Sequence, residues 1–173
     1  EIAENTVTCL SASKTFNMAG LGISYTVISN PELRTGLNNT LNDFHLSFGN
    51  VLGLKAMEAA YENGESWLEQ LLDYIEGNID FIESYLEKNI PEITMIKPEG
   101  TYLVWLDFSK LGLSQEELNR FLIHKAGLGM SNGTQFGSEG EGFQRFNAAC
   151  PRSLIKKGLD QLEKAIKIGR AHV

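Results

Sequence analysis

The sequence predicts a protein of the α/β class, because helix-like and strand-like segments alternate along the chain. The strand candidates are short and rich in β-branched residues, whereas the helix candidates carry apolar residues at spacings of three and four. The 173 residues are 42% hydrophobic and 21% charged, which is ordinary for a globular protein and sufficient for a sizeable core. This composition excludes disordered, collagen-like and coiled-coil classes.

Charge and cysteine content narrow the classes of function. The chain carries 15 Lys and Arg against 22 Asp and Glu, a net charge of -7 that argues against direct binding of nucleic acid. Cys9 and Cys150 are too few for a disulfide framework, and three scattered histidines have no ligand spacing, so we expect no metal. No apolar run approaches the roughly 18 residues of a membrane span, so we expect no membrane association and a cytoplasmic protein.

The first half of the chain predicts two strands and a helix. Residues 6–10 have the β-branched character of a buried strand, in which Cys9 is a small core residue. Residues 23–28 repeat this pattern and stop at Asn30-Pro31, a pair typical of a helix start. Residues 47–61 are rich in helix formers, and Asn63-Gly64 follows them as a C-cap.

Residues 66–89 predict the clearest helix. Ser66 is the expected N-cap, Glu69 completes a capping box, and Gly77 is a candidate bend. The expected buried face consists of Trp67, Leu71, Ile75, Ile79, Ile82 and Leu86.

The second half alternates strands and helices again. Ser114 and Glu117 form a second capping box, Pro98 to Gly100 form a turn, and the glycine-rich residues 133–142 predict a mobile loop. The expected strands are residues 93–97, 102–108, 128–130 and 143–148, and the expected helices are residues 114–126 and 153–168. The last helix should bury Ile155, Leu159, Leu162 and Ile166.

Two places are candidates for chemistry. In residues 11–17, SASKTFN, two serine hydroxyls and backbone N–H groups beside Lys14 suit a phosphate, and a partly buried lysine can form a Schiff base with an aldehyde. A surface lysine in a polar turn is the alternative, and spacing alone favours it. Arg145 and Arg152 are candidate carboxylate clamps. Without further context, the residues alone favour the simpler interpretation, in which Arg145 is an exposed strand residue and Arg152 caps or pairs near the last helix.

Four blocks of the sequence together resemble one family. The lysine-bearing loop of fold-type I pyridoxal-phosphate enzymes, in the class I/II aminotransferase superfamily, is similar to SASKTFNMAGL. The other three blocks resemble the C–S β-lyase branch of that superfamily, the cystathionine β-lyases of MalY and PatB type. These blocks are AAYENGESWLEQLLDYIEGN, PEGTYLVWLDF and GFQRFNAACPRSLIKKGLDQL. The resemblance therefore implies the PLP-dependent transferase fold of type I.

The resemblance also implies roles for the lysine loop. Lys14 is expected to hold pyridoxal 5'-phosphate covalently and then to remove the substrate Cα proton. The hydroxyls of Ser11 and Ser13 are expected to bind the cofactor phosphate. Many aminotransferases carry an arginine eight residues after the lysine, and Gly22 stands there in this chain, which favours the lyase branch.

The remaining blocks imply the substrate side of the site. Arg145 matches the arginine that grips the substrate α-carboxylate, Gly100 and Tyr102 lie in the block that lines the pocket, and Arg152 belongs to the branch signature as a structural residue. The implied reaction cleaves the C–S bond of an amino-acid thioether such as cystathionine to a thiol, pyruvate and ammonia. A class I/II aminotransferase and a catalytically silent packing or dimerisation module remain alternatives.

The resemblance finally implies a division of the chain. Residues 1–64 correspond to the end of the large cofactor-binding domain, and residues 65–173 correspond to the small α+β domain, entered by the helix at residues 66–89. The family's homodimers carry a further half ahead of the lysine strand, and a strand pattern begins close to Glu1 here. We therefore expect a fragment that binds the cofactor poorly and catalyses little by itself.

Overall fold

The structure, a computed structural model, describes residues 2–47 and 49–170. It divides into two compact units, Glu1–Leu71 and Leu72–Val173. The α-helices are Pro31–Asp43 (α1), Val51–Asn63 (α2), Glu65–Asn89 (α3), Gln115–Phe121 (α4) and Arg152–Arg170 (α5). The strands are Thr8–Leu10 (β1), Tyr25–Val27 (β2), Thr94–Ile96 (β3), Leu103–Asp107 (β4), Ser131–Asn132 (β5) and Phe143–Asn147 (β6). Short 3₁₀ segments are Ile2–Asn5, Ala19–Leu21, Ser109–Leu111, Gly133–Phe136 and Ser138–Gly140.

In the first unit, β1 and β2 form a two-stranded antiparallel ribbon in which Thr8 lies opposite Val27. The two strands lie where the sequence predicts them, but the expectation of burial is wrong. All three residues of β1 are exposed, and Cys9 is an exposed thiol rather than a core residue. A ribbon of two strands buries a face only where another element packs on it, and the pattern of β-branched residues does not specify that partner.

Side-chain caps define α1 and α2. The Oδ1 atom of Asn30 accepts hydrogen bonds from the N–H groups of Glu32 and Leu33, at 2.8 and 3.4 Å, and Pro31 occupies the first helical position as predicted. Asn50 caps α2 by accepting a hydrogen bond from Leu52, so this helix begins later than the composition indicated. The predicted C-cap at Gly64 is confirmed.

Helix α3 confirms the predicted span but not its cap. It begins at Glu65, and the Gly64 carbonyl accepts a hydrogen bond from the Leu68 N–H at 2.9 Å, so Ser66 lies within the first turn and cannot be the N-cap. Trp67 is 46% exposed, which corrects its assignment to the buried face. Four of the six residues predicted for that face are confirmed as buried, namely Ile75, Ile79, Ile82 and Leu86, and Leu71 is half-buried.

The second unit contains an antiparallel sheet of four strands in the order β3-β4-β6-β5. The turn predicted between the first two strands is confirmed. The strand expected at residues 128–130 is wrong, because Gly127 takes a left-handed φ of 67° and Leu128 donates its N–H to Leu122 at the end of the preceding helix. The strand begins instead at Ser131.

One face of this sheet and three helices supply the core of the second unit. Val104 and Leu106 of β4 are fully buried, and Gln144 of β6 donates to Asn119 of α4 at 2.8 Å. The predicted capping box at the start of α4 is confirmed, and a π-type turn, Leu122–Ala126, extends the helix. In α5 the predicted face is confirmed by the burial of Ile155, Leu159, Leu162 and Ile166.

The glycine-rich stretch at residues 133–142 forms two 3₁₀ turns, so it is built of regular turns where the sequence predicts a loop. Gly133 and Gly140 are both buried, and a Cβ atom on either would overlap the other's backbone. Within residues 2–47 and 49–170, no helix combines the length and apolar character needed to cross a membrane.

Candidate active site

Lys14 lies in a tight turn of the first unit, directly after β1. The N–H of Phe16 donates to the Ala12 carbonyl at 3.0 Å, and the N–H of Met18 donates to the Ser13 carbonyl at 2.9 Å. Asn17 closes the turn with a φ of 53°, a left-handed conformation that asparagine adopts more readily than most residues. These bonds hold the backbone while the side chain of Lys14 is exposed.

The structure brings Ser11 and Ser13 together beside this lysine. The two hydroxyl oxygens lie 2.7 Å apart, and the Ser13 N–H also donates to the Ser11 hydroxyl at 3.1 Å. Ser11 donates its single proton to the Ile23 carbonyl at 2.7 Å, so the Ser13 hydroxyl is the donor in the pair. Rotation of the Ser13 hydroxyl is therefore sufficient to present a proton to an anion.

Several polar groups of the turn have no protein partner in the part of the chain that the structure describes. They are the ammonium group of Lys14 and the backbone N–H groups of Lys14 and Thr15. An amine nucleophile, a hydroxyl free to rotate and unpaired N–H groups are the groups that a phosphate-bearing aldehyde needs. The residues present therefore fit such a cofactor.

Aromatic rings that the sequence patterns did not predict support the turn. The ring of Phe16 stacks on that of Trp67, with 6.1 Å between the ring centres, and meets the Tyr61 ring edge-on, with 5.9 Å between the centres. Tyr61 also shares a hydrogen bond with Tyr25 at 3.3 Å, which raises the pKa of Tyr61. A Cβ atom at Gly64 would lie 2.6 Å from the Phe16 ring, so a glycine at this helix junction leaves space for that ring.

Gly22, the position where many aminotransferases carry an arginine, has a structural reason to be glycine. It takes a φ of 57° and caps the 3₁₀ segment Ala19–Leu21 by donating its N–H to Ala19. A non-glycine residue would have to adopt this left-handed conformation at a cost of about 1 kcal/mol.

Arg145 lies on β6 in the second unit and is half-buried rather than exposed. Its guanidinium carbon lies 4.6 Å from the centre of the Phe136 ring, and its Nη2 atom donates to the Ser131 hydroxyl at 3.2 Å. No carboxylate of a described residue pairs with it. Arg145 also lines a cavity of about 250 Å³ with Leu128 and Ser131, so a cation with unused donors faces an open space.

The structure does not place Gly100 or Tyr102 in the described lining of that cavity. Gly100 is exposed, with open space around it, and Tyr102 is half-buried. The Tyr102 carbonyl accepts a hydrogen bond from Ala148 at 2.9 Å, just after Arg145's strand. Thr101 between them has a φ of 71°, which is strained for a β-branched residue. Their role toward substrate stays a prediction.

Arg152 takes part in a polar network rather than in the cavity. Its Nε atom donates to the Oδ1 atom of the fully buried Asn78 at 3.0 Å, and its backbone N–H donates to the Tyr74 hydroxyl at 2.9 Å. The guanidinium also lies 5.6 Å from the Tyr74 ring. A Cβ atom at Gly77 would lie 2.7 Å from the guanidinium, so this glycine makes room for Arg152.

Comparison with known proteins identifies the family. A model of the family described as aminotransferase class I and II matches residues 1–162. The chain belongs to the aminotransferase class I and II family. Cystathionine beta-lyase PatB of Bacillus subtilis is 39% identical over 166 residues, which cover 96% of this aminotransferase-family chain and 43% of PatB.

Two solved structures extend the comparison. A PLP-bound putative aminotransferase from Clostridium difficile 630 is 45% identical, with a TM-score of 0.91 over 94% of this chain and 42% of its own. Cystalysin from Treponema denticola, crystallised with pyridoxal 5'-phosphate, is 37% identical, with a TM-score of 0.91 over 96% of this chain and 42% of its own. The predicted fold is thus confirmed, and the chain spans about two fifths of the length of these relatives.

The structure of this aminotransferase-family chain places the predicted residues in two groups. Ser11, Ser13 and Lys14 share one turn of the first unit, and Arg145 lies in the second unit. Two residues that contact Arg145, Ser131 and Phe136, were not predicted, because neither residue type carries a signal for arginine contact in a glycine-rich segment.

Proposed function

We propose that the protein is a pyridoxal-phosphate-dependent carbon–sulfur β-lyase. It cleaves the C–S bond of cystathionine or a related cysteine S-conjugate and, with one water molecule, releases a thiol, pyruvate and ammonia. The observation that carries this proposal is the turn that contains both Lys14, whose amine has no partner among the described residues, and the hydrogen-bonded pair Ser11 and Ser13. Because the chain spans about two fifths of its relatives, the activity is proposed for the whole protein.

The lysine turn accounts for cofactor binding in this proposal. The Lys14 amine would hold the cofactor covalently, and the Ser13 hydroxyl with the free N–H groups of the turn would hold its phosphate. The Ser11 hydroxyl would join them by turning its proton from the Ile23 carbonyl to the phosphate. The chemistry that pyridoxal 5'-phosphate supplies when bound is a sink for the electrons left at Cα. Lys14, with its amine free, would take the proton from the substrate Cα atom, and the thiolate on Cβ would leave with the electron pair of the C–S bond.

Arg145 accounts for substrate orientation. Its guanidinium has donors to spare and faces a cavity of about 250 Å³, which supports a bidentate pair with the substrate α-carboxylate. Gly100 and Tyr102 complete the substrate side in this proposal. Binding of this kind holds the Cα–H bond in the orientation from which Lys14 removes the proton.

The organisation of the whole protein belongs to the same proposal. Residues 1–64 are assigned to the large domain and residues 65–173 to the small domain, and the division of the structure at Leu71 supports a boundary near the start of α3. We assign the whole protein to the cytoplasm as a homodimer. Val51 and Leu52 are 72 and 71% exposed, and such apolar exposure supports a covered surface in the whole protein.

Acceptor dependence separates the lyase from an aminotransferase, the alternative favoured by the name of the Clostridium difficile relative. The whole protein with pyridoxal 5'-phosphate is given cystathionine without any keto acid, and pyruvate is followed with lactate dehydrogenase. We expect pyruvate formation to continue over many turnovers, and we expect Lys14→Ala to abolish it. Turnover that requires an added keto acid would establish an aminotransferase, and no turnover under either condition would support a silent packing module.

A further inference from the structure

The half-exposed face of the four-stranded sheet carries a row of aromatic rings beside Arg145. The register places Trp105 of β4 opposite Arg145 of β6, and Phe143 lies two residues before Arg145, on the same face. The rings of Trp105 and Phe143 are stacked, with 5.7 Å between the ring centres and an angle of 12° between the ring planes. Phe136 meets Trp105 edge-on at 5.6 Å, so Trp105 supports the ring that lies against Arg145.

Phe136 and Ser131 restrict the guanidinium in different directions. The guanidinium carbon lies over the Phe136 ring, 4.6 Å from its centre, and the Ser131 hydroxyl accepts a hydrogen bond from the Nη2 atom at 3.2 Å. Arginine has five N–H donors, and a single hydrogen bond from this side chain lies within the described residues. The remaining donors lie in the guanidinium plane, where a planar carboxylate can pair with two of them.

Backbone contacts hold the segment that carries Phe136. Phe136 ends the 3₁₀ turn Gly133–Phe136, and the buried Gly133 of that turn packs backbone to backbone against Gly140 of the next turn. Asn132 caps the turn by accepting a hydrogen bond from the Thr134 N–H at 3.0 Å. The ring is therefore attached to a backbone segment with little freedom to move away from Arg145.

We infer that Phe136 and Ser131 are positioning residues that fix the plane of the Arg145 guanidinium for a carboxylate. This inference rests on the proposed function, in which Arg145 binds the substrate carboxylate. The ring closes one face, the hydroxyl fixes the rotation, and the substrate carboxylate meets a preset in-plane edge. Neither residue contacts the reacting atoms, so loss of either acts through Arg145.

Two measurements test the inference. The first is the NMR order parameter of the Arg145 Nε–H bond in the 173-residue chain, with the signal assigned by its loss in Arg145→Lys. The second is the steady-state kinetics of the whole protein with cystathionine. The variants are Phe136→Leu, Phe136→Tyr and Ser131→Ala. The control is Phe121→Leu on α4, whose ring has no contact with Arg145 in the described structure.

We expect Phe136→Leu to lower the order parameter and to raise KM about two- to fivefold, because an exposed cation–π contact contributes that factor. Ser131→Ala should raise KM about two- to tenfold, as for the loss of one hydrogen bond. In both variants KM should change by a larger factor than kcat, because Arg145 is still present to orient the substrate and the loss falls mainly on binding. Phe136→Tyr keeps the ring and should behave as wild type, and so should the control.

The outcomes separate this inference from the proposed function. An unchanged order parameter in both Phe136→Leu and Ser131→Ala would overturn the inference whatever the kinetics show. A lowered order parameter with unchanged KM, together with an Arg145→Lys variant of normal KM, would show that Arg145 is positioned but does not bind the substrate. That second result would contradict the proposed role of Arg145 and leave its positioning intact.

Discussion

Replacement of the buried Asn78 by alanine should strongly destabilise the second unit. The Asn78 side chain is fully buried and donates to the carbonyl oxygens of Ala148 and Cys150 at 2.9 and 3.0 Å. It also accepts a hydrogen bond from Arg152 at 3.0 Å. Two of these bonds attach α3 to the segment that joins β6 to α5, directly after the strand of Arg145, and the third attaches it to the first residue of α5.

The structure sets the magnitude of the loss. Each hydrogen bond contributes about 1 kcal/mol, and Asn78→Ala removes three of them at once. The carbonyl of the fully buried Ala148 also loses this partner, and an unsatisfied buried acceptor adds to the cost. We therefore expect the free energy of unfolding to fall by about 3–4 kcal/mol.

Urea unfolding followed by tryptophan fluorescence measures this loss. The chain has two tryptophans, and a Trp67→Phe background leaves Trp105 as the reporter of the second unit. Asn89→Ala is the matched control, because Asn89 makes one bond, to the Tyr85 carbonyl of its own helix, and is half-buried. A loss of less than about 1 kcal/mol in Asn78→Ala, or one no larger than in the control, would refute the reasoning.

Three further predictions concern turns and caps of the same unit. Gly133→Ala should lower the midpoint of thermal unfolding by many degrees, because the added Cβ atom would overlap the backbone of Gly140. The control Gly129→Ala, which has open space around it, should leave the midpoint unchanged or raise it. Equal changes of the midpoint in the two variants would contradict this prediction. Hydrogen bonds from the Ser114 hydroxyl and backbone N–H lower the pKa of Glu117. The stability that Glu117 contributes is therefore fully present above the ordinary pKa of glutamate, and it is lost as the pH falls through the lowered pKa. The difference in unfolding free energy between wild type and Glu117→Ala should therefore shrink below about pH 4, and a difference independent of pH would contradict it. Thr101→Asn should raise the free energy of unfolding by about 0.5–1 kcal/mol, because asparagine tolerates the φ of 71°; a loss would show that Thr101 is not strained.

Local signals predicted the elements that depend on local chemistry. The sequence predicted three helix ends correctly: the cap at Asn30, the capping box at Ser114 and the C-cap at Gly64. Each of them depends on a side chain or a glycine within a few residues of the helix end. Ser66 shows the limit of such signals. Ser66 and Glu69 have the residue types of a capping box, but the preceding helix ends at Asn63. The Gly64 carbonyl therefore accepts the first hydrogen bond of α3, from the Leu68 N–H.

Contacts between distant residues could not be predicted from local patterns. The burial of Cys9 was wrong because it depends on what covers a two-stranded ribbon. The contact of Phe136 with Arg145 depends on the register of β5 and β6 and on the two packed glycines. The site residues themselves came from the resemblance of whole blocks, since spacing alone favoured an ordinary surface lysine at position 14.

The attachment point of the cofactor tests the central claim most directly. The whole protein is incubated with pyridoxal 5'-phosphate, reduced with borohydride, digested and analysed by mass spectrometry. We expect one modified lysine, Lys14, in the peptide that contains SASKTFN, and no modification of that peptide in a Lys14→Arg variant. A cofactor adduct on another lysine, or none at all, would contradict the assignment of this turn as the cofactor site.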